Sequence, residues 1–287
     1  MISRELLNKI RLIEIQTRRI LSGALIGNRR SIQKGYGLNF DQIREYQLGD
    51  DVRFIDWKSS ARSNKILVKE YKEERIRTIM LMLDISSSSF FGSQNDPKFT
   101  VMTHIASILA FVADNAQDKV GLILFAENIE SYIPPKTGIK HVYAILQKIL
   151  LISSQRKKTN IQKALEYMAS LKRKDTIVFL ISDFIDNGYD KYLKIVARMY
   201  DLVAIRILDS VERQFPAVGL LQLHDLEAGT STNIQVVDKG LDINRVLAER
   251  IASQDLWFHQ YNIRRFDVLC NKNYIDDLIL FLQRLHY

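Results

Sequence analysis

The stretch Thr78-Ile-Met-Leu-Met-Leu-Asp-Ile-Ser-Ser-Ser-Ser89 contains the pattern from which the fold can be inferred. Ile79–Leu83 is entirely apolar and lacks the alternation of a half-buried strand, which indicates a strand covered on both faces, as in a parallel sheet. The run ends at Asp84, and hydroxyls follow at Ser86 and Ser88. Because ligands of open α/β sheets bind beyond the carboxyl ends of the strands, these oxygens lie where a site is expected.

Strands and helices alternate after this stretch. Strands are predicted at residues 119–125, 130–133, 176–181, 202–208 and 266–270, with a small antiparallel ribbon within 219–237. Helices are predicted at residues 98–117, 138–152, 161–171, 190–200, 241–261 and 274–285. Such alternation implies right-handed parallel crossovers, so the predicted fold class is α/β, with a doubly wound, mostly parallel sheet of the Rossmann type.

The composition is that of a globular protein of 287 residues, with 47% hydrophobic and 26% charged residues. The single cysteine, Cys270, excludes an internal disulfide and a thiolate zinc cage, and it ends an apolar run, so we expect it to be buried. No stretch approaches the roughly 18 consecutive apolar residues of a membrane helix. Basic residues interrupt the apolar N-terminus, where a signal peptide would have an unbroken core, and we therefore predict a cytoplasmic protein.

The net charge of +8 is concentrated before the core strand, because residues 1–77 carry +7 and residues 78–287 carry +1. This asymmetry predicts a basic N-terminal extension (1–77) that packs on an α/β domain (78–287). Apolar spacing predicts an amphipathic helix from Ser3 to Ser22, followed by a basic loop from Gly27 to Gly37 without a phosphate-binding motif. Nucleic-acid binding by the extension stays open as an alternative, although its many acidic residues argue against a basic groove.

Opposite charges alternate closely in residues 44–62, around several aromatic side chains. The pattern predicts a loop held by internal ion pairs and aromatic anchors. Arg53, Asp56 and Arg62 could form a catalytic cluster, but structural pairing explains them more simply. Residues 65–71 alternate in polarity and are predicted to form an edge strand leading to the core.

Two further oxygen-bearing side chains are expected at the same sheet edge as Asp84. Thr159 lies in the loop before the predicted helix 161–171, and Asp183 follows the predicted strand 176–181. Hydroxyls and carboxylates are hard oxygen donors that suit Mg²⁺ better than zinc or copper. Simpler roles remain open at this point, since Thr159 can cap the helix and Asp183 can cap a turn or pair with an arginine.

Asp84-Ile85-Ser86-Ser87-Ser88 resembles the Asp-x-Ser-x-Ser signature of von Willebrand factor A-type domains. In that family a threonine from a later loop and an aspartate from a later strand end complete a metal-ion-dependent adhesion site, and Thr159 and Asp183 occur in the matching order. The resemblance implies that Ser86, Ser88 and Thr159 bind Mg²⁺ (or Mn²⁺) directly. It implies that Asp84 and Asp183 act mainly through bound water.

The flanking sequence resembles the bacterial family known as domain of unknown function 58 over nearly the whole chain. The resemblance is carried by Arg44–Arg62 (Arg-Glu-Tyr-x-x-Gly-Asp-Asp-x-Arg-x-Ile-Asp-Trp-Lys-x-Ser-Ala-Arg), Asp118–Leu122, Pro134-Pro135, Ser182–Phe184, and Leu208-Asp209 with Glu212. It implies a von Willebrand A-like domain with an N-terminal extension. Members of that family are associated with MoxR-type AAA+ ATPases, apparently as adaptors or chaperone partners.

The resemblance therefore implies a non-enzymatic, metal-dependent interaction module whose ATPase partner or client protein supplies a carboxylate to the metal, with no small-molecule substrate. A magnesium-dependent hydrolase or phosphotransferase that uses Asp84 is the alternative. Against it, Ser86 stands where a second carboxylate would be needed. The five histidines are scattered, and no Ser/His/Asp triad is evident in the sequence.

Overall fold

The computed structural model describes residues 11–12, 14–15, 17, 38–73, 76–92, 97–152, 158–213, 220–224, 231–270 and 272–285. Contacts divide the chain into two compact units, Ile26–Ile76 on the one hand and Met1–Leu25 with Arg77–Tyr287 on the other. The division into residues 1–77 and 78–287 stays a prediction. The predicted loop Gly27–Gly37 and most of the predicted helix Ser3–Ser22 lie outside the described residues.

The smaller unit contains an antiparallel pair of strands, β1 (Leu38–Glu45) and β2 (Leu67–Glu73), and the helix α1 (Trp57–Ser63). The strand predicted at residues 65–71 corresponds to β2, which pairs with β1 in a separate two-stranded sheet and precedes the core strand β3 in the chain. β1 escaped prediction because an irregularity between Phe40 and Gln42 shifts its register and interrupts the period of two.

Ion pairs within residues 44–62 confirm the internal charge pairing predicted there. Arg44 donates two hydrogen bonds of 2.7 Å to Asp50, and Arg53 pairs with Asp51 at 2.6 Å. Asp56 instead accepts from the first backbone N–H groups of α1 as its N-cap. The prediction of aromatic anchors is wrong for Trp57, whose residue surface is 68% exposed.

The larger unit is built on a six-stranded sheet that confirms the predicted fold class. Its strands are β3 (Thr78–Asp84), β4 (Lys119–Phe125), β5 (Ile129–Lys136), β6 (Thr176–Ser182), β7 (Asp201–Leu208) and β10 (Arg264–Leu269). Their order is β10-β7-β6-β3-β4-β5, and only β5 is antiparallel to its neighbour. Two short strands, β8 (Leu220–His224) and β9 (Ser231–Gln235), form the predicted antiparallel ribbon.

Helices cover both faces of the six-stranded sheet. The described helices of this unit, in chain order, are α2 (Lys98–Asn115), α3 (Ile139–Leu150), α4 (Ile161–Ser170), α5 (Asp190–Met199), α6 (Ser210–Arg213), α7 (Val236–Gln260) and α8 (Ile275–Arg284). One core cluster contains side chains of α2, α3 and α8, and the other contains side chains of α4, α5 and α7. Within β3, Leu81 and Leu83 belong to the first cluster and Met80 and Met82 to the second, which explains the unbroken apolar run.

The boundaries of the elements differ from the predicted ones by a few residues. The largest difference is in α7, which begins at Val236 although its helix was predicted to begin at residue 241. β5 continues through Pro134 and Pro135 although its strand was predicted to end before them. β5 lies at the edge of the sheet, where a proline costs no ladder hydrogen bond on the solvent side. Cys270 is buried, as predicted. Within the described part of the chain, no helix has both the length and the hydrophobicity needed to cross a membrane.

The order of the strands creates a switch point beside β3. From β3 the chain adds β4 and β5 on one side, and then adds β6, β7 and β10 on the other. Connections therefore leave the ends of β3 and β6 in opposite directions, and the resulting crevice at their carboxyl ends is where ligands of open α/β sheets bind. Asp84 ends β3, and Asp183 directly follows β6.

We expect Gly121→Ala to destabilise the protein by about 1–3 kcal/mol through overpacking. A Cβ at this position would lie 2.9 Å from Met80 Cε and 3.1 Å from the carbonyl oxygen of Ile133. Urea unfolding measures the loss. In a double-mutant cycle, Met80→Leu removes the Cε contact and should recover part of the loss, but not the part due to Ile133. Equal stability of Gly121→Ala and the wild type would contradict the close packing of β3, β4 and β5.

Candidate metal centre

Asp84 is fully buried at the switch point and is held by groups from two strands. Its Oδ2 accepts a 2.6 Å hydrogen bond from Ser182 Oγ at the end of β6, and its Oδ1 accepts a 2.9 Å bond from the backbone N–H of Ser86. Ser182 Oγ in turn accepts from the N–H of Phe184. These bonds fix the orientation of the Asp84 carboxylate and tie the ends of β3 and β6 together.

The serine hydroxyls after β3 lie in a tight 3₁₀ turn, Ser87–Phe90. Ser86 Oγ and Ser88 Oγ are 3.0 Å apart, and Ser89 Oγ is 3.4 Å from Ser86 Oγ. Ser86 is fully buried, whereas Ser88 is partly exposed. The turn therefore presents Ser86 and Ser88 together, with Ser88 on the solvent side, beside the Asp84 carboxylate.

A hydrogen bond of its neighbour Asn160 holds Thr159 at the carboxyl end of the sheet, near the end of β3. The N–H of Asn160 donates to the carbonyl oxygen of Ala126, which follows the end of β4, and β4 pairs directly with β3. Asn160, rather than Thr159, caps α4 by accepting from the N–H of Lys163. The hydroxyl oxygen of Thr159 is buried and has no hydrogen-bond partner within the described residues. The simpler explanation of Thr159 as the helix cap is therefore wrong.

Asp183 lies next to the switch point and is 1% exposed. Its Oδ1 accepts from the N–H of Ile185 at 3.0 Å, and its Oδ2 accepts a 2.7 Å bond from Lys98 Nζ. Lys98, the first residue of α2, also donates a 2.6 Å bond to Glu212 Oε1. The proposed pairing of Asp183 with a basic residue is thus present, but the partner is a lysine and not an arginine.

Lys98, Glu212 and Ser182 were not among the site residues predicted from the sequence. Lys98 is the first residue of a largely apolar helix, and a lysine at such a position ordinarily lies in solvent. It is buried here because it pairs with two carboxylates that follow it in the sequence by 85 and 114 residues. Glu212 was visible only as part of the motif after Leu208-Asp209. Ser182 was hidden because a serine at a strand end has many simpler roles.

The electrostatics of the site favour the binding of a cation. Burial raises the pKa of Asp84 to about 7, the negative charge of Asp183 adds to this rise, and hydrogen bonds from Ser182 and Ser86 oppose it. Burial lowers the pKa of Lys98, but Asp183 and Glu212 outweigh that effect, so the pKa lies above its usual range and the ammonium stays charged. Burial raises the pKa of Glu212, while Lys98 partly offsets the increase.

The donor set fits magnesium if hydroxyls are direct ligands. Among the described residues, no three His, Cys, Asp or Glu side chains form a group that could hold a metal. Neighbouring ligands of an octahedral Mg²⁺ site lie about 2.9 Å apart, close to the 3.0 Å between Ser86 Oγ and Ser88 Oγ, although a simple hydrogen bond has the same length. The unpartnered Thr159 hydroxyl is the observation that a bound cation would explain.

The profile of the family described as Protein of unknown function DUF58 matches residues 42–249. The chain belongs to this family. The uncharacterized protein Rv1480 of Mycobacterium tuberculosis is 26% identical over 223 residues, which cover 77% of this chain and 70% of that protein. The uncharacterized protein YeaD of Bacillus subtilis is 29% identical over 109 residues, or 38% of this DUF58 chain and 25% of YeaD.

A solved structure shares the fold of this DUF58 protein, and a second matches it more weakly. The conserved hypothetical protein BatB from Bacteroides thetaiotaomicron matches with a TM-score of 0.50 and 16% identity, over 73% of this chain and 98% of the BatB chain. The von Willebrand A domain of SpRpn10 matches with a TM-score of 0.40 and 12% identity, over 71% of this chain and 94% of that domain. At these identities the BatB likeness shows the fold alone.

We expect the metal-free protein to lose stability as the pH rises from about 4 to about 7. In this range the unfolded chain releases the proton of Asp84 while the folded chain keeps it, because the folded pKa is raised. The increase in the pKa of Asp84 on folding corresponds to a loss of about 4 kcal/mol in unfolding free energy. Above the folded pKa, Asp84 causes no further change in stability. Urea unfolding in EDTA at several pH values measures the effect.

Asp84→Asn is the matched control for this titration, because the amide keeps the shape of the side chain and stays neutral at every pH. The difference in unfolding free energy between the wild type and Asp84→Asn isolates Asp84, since all other buried groups titrate in both proteins. We expect the unfolding free energy of Asp84→Asn to increase relative to that of the wild type as the pH rises. Parallel pH profiles of the two proteins would contradict the raised pKa.

Proposed function

We propose that this DUF58 protein is a non-enzymatic, metal-dependent protein-interaction module. Ser86, Ser88 and Thr159 would hold Mg²⁺, or Mn²⁺, through their hydroxyls, with Asp84 and Asp183 acting through bound water. The observation that carries the proposal is the buried Thr159 hydroxyl, which has no hydrogen-bond partner in the described part of the chain. It lies at the carboxyl end of the sheet, where the paired hydroxyls of Ser86 and Ser88 also lie.

The use of neutral hydroxyls determines what such a site can do. When bound, a cation with few anionic ligands would keep a strong attraction for a carboxylate from outside the chain. Ser88 is partly exposed, whereas the hydroxyl of Thr159 is buried, so an incoming acidic side chain would approach from the side of Ser88. Asp84 is a poor nucleophile in this arrangement, because it is buried and both of its oxygens accept hydrogen bonds. These features favour recognition over hydrolysis.

We propose a MoxR-type AAA+ ATPase as the partner, with the DUF58 protein as its adaptor and the acidic side chain supplied by the ATPase or by a client protein. The support is the family membership together with the association of DUF58 proteins with such ATPases that the sequence resemblance implies. Cytoplasmic location stays a prediction that this partnership would require.

We expect Ser86→Ala and Asp84→Ala to weaken binding to a purified MoxR-type ATPase from the same organism by at least about tenfold in Mg²⁺, because each removes a group of the proposed site. EDTA should have the same effect on the wild type. Biolayer interferometry with the full chain measures the affinity, and circular dichroism shows whether each variant is folded.

Ser87→Ala is the matched control, because Ser87 belongs to the same turn but not to the Asp-x-Ser-x-Ser pattern. We expect it to bind the ATPase like the wild type. Binding that is unchanged in EDTA and in Ser86→Ala would exclude a metal bridge. Hydrolysis of phosphoesters that disappears in Asp84→Ala would instead support the alternative of a magnesium-dependent hydrolase.

A further inference from the structure

Lys98 and Glu212, which form a cluster with Asp183, have no role in the site described so far. The side chain of Lys98 is 0% exposed and its ammonium contacts one oxygen of each carboxylate, at 2.7 Å and 2.6 Å. Burial of an ammonium group costs several kcal/mol unless it is paired, and removal of one partner leaves an uncompensated charge. An apolar residue as the first residue of α2 would avoid this cost. Packing alone therefore does not explain why a lysine lies there.

The position of the cluster links it to Asp84. Asp183 is the shared member, because it binds Lys98 and directly follows Ser182, whose hydroxyl donates to Asp84. Both oxygens of Asp183 already accept one hydrogen bond each, from Lys98 and from the N–H of Ile185. Glu212 is fixed at the far side of Lys98, since its second oxygen accepts from the N–H of Asp209.

We propose that Lys98 and Glu212 are positioning residues that set the net charge of the metal site and thereby its affinity for a divalent cation. The inference rests on the proposed function, since it concerns the same site. With all groups ionised, Asp84, Asp183 and Glu212 carry three negative charges and Lys98 one positive charge. The four groups together carry −2, the charge that one divalent cation neutralises.

This arrangement limits how strongly the site attracts a cation. Lys98 neutralises part of the charge of Asp183 and occupies one of its oxygens, which keeps Asp183 from acting as a full anionic ligand. A weaker hold on the cation leaves more of its charge for an acidic side chain of a partner. Asp209, a further buried carboxylate nearby, binds the N–H of Val211 and is unchanged in every variant below, so it does not affect their differences.

Single and double substitutions change the charge of the site stepwise. Lys98→Met makes it more negative by one charge, Glu212→Gln makes it less negative by one, and the double variant Lys98→Met/Glu212→Gln restores the original charge. We expect Lys98→Met to bind Mn²⁺ at least about tenfold more tightly than the wild type and Glu212→Gln at least about tenfold more weakly. The double variant should bind within about threefold of the wild type.

Electron paramagnetic resonance of free Mn²⁺, titrated with the full chain at about pH 8 and low salt, measures these affinities. Lys98→Arg is the conservative control, because it keeps the positive charge and should stay near the wild type. If Lys98 served only packing, Lys98→Met would loosen the site and weaken Mn²⁺ binding, which is opposite to the expected change. That result, or equal affinities of all variants, would overturn the inference.

The variants distinguish failure of this inference from failure of the proposed function. If Lys98→Met fails to fold, Glu212→Gln still tests the inference, because unchanged or tighter Mn²⁺ binding by that variant would contradict it. Suppose that the wild type binds Mn²⁺ and that Ser86→Ala does not. If the Mn²⁺ affinities of the Lys98 and Glu212 variants then do not follow the charge of the site, the inference fails but the metal site is supported. If the wild type binds no Mn²⁺, the proposed function fails and the inference fails with it.

Discussion

The burial of Asp84 between the ends of two parallel strands is the constraint on which the rest of the site depends. Helices on both faces of the sheet exclude water from β3, so its terminal carboxylate can be satisfied only by protein groups or by a cation. Ser182 and the N–H of Ser86 supply two hydrogen bonds. The nearby charge of Asp183 works against ionisation of Asp84.

Much of the fold could be predicted from local pattern. The apolar run of β3 and the alternation of strands and helices define a parallel sheet, because both depend on side chains close together in sequence. The small unit was harder, since the register shift in β1 hides its alternation and β2 pairs outside the core sheet. The exposed Trp57 shows that an aromatic side chain within a charged segment need not be an anchor.

The site residues at the ends of apolar strands could be predicted from the sequence. Those whose position depends on contacts between distant segments could not. Asp84 and Asp183 follow apolar strands, so topology alone places them beside each other. Thr159 was ambiguous, and only the hydrogen bond from Asn160 to the end of β4 brings it to the same edge. Lys98 could not be identified, because one of the two carboxylates that make its burial tolerable follows the end of β6 and the other lies in α6.

The two edges of the six-stranded sheet bear on how this protein can associate. At one edge, Pro134 and Pro135 of β5 lack the backbone N–H groups that an added strand would need as donors. At the other, β10 carries Arg264, Arg265 and Asp267, and charged side chains on an edge strand discourage extension of the ladder. Both margins of the six-stranded sheet thus resist fibre-like growth from one molecule to the next.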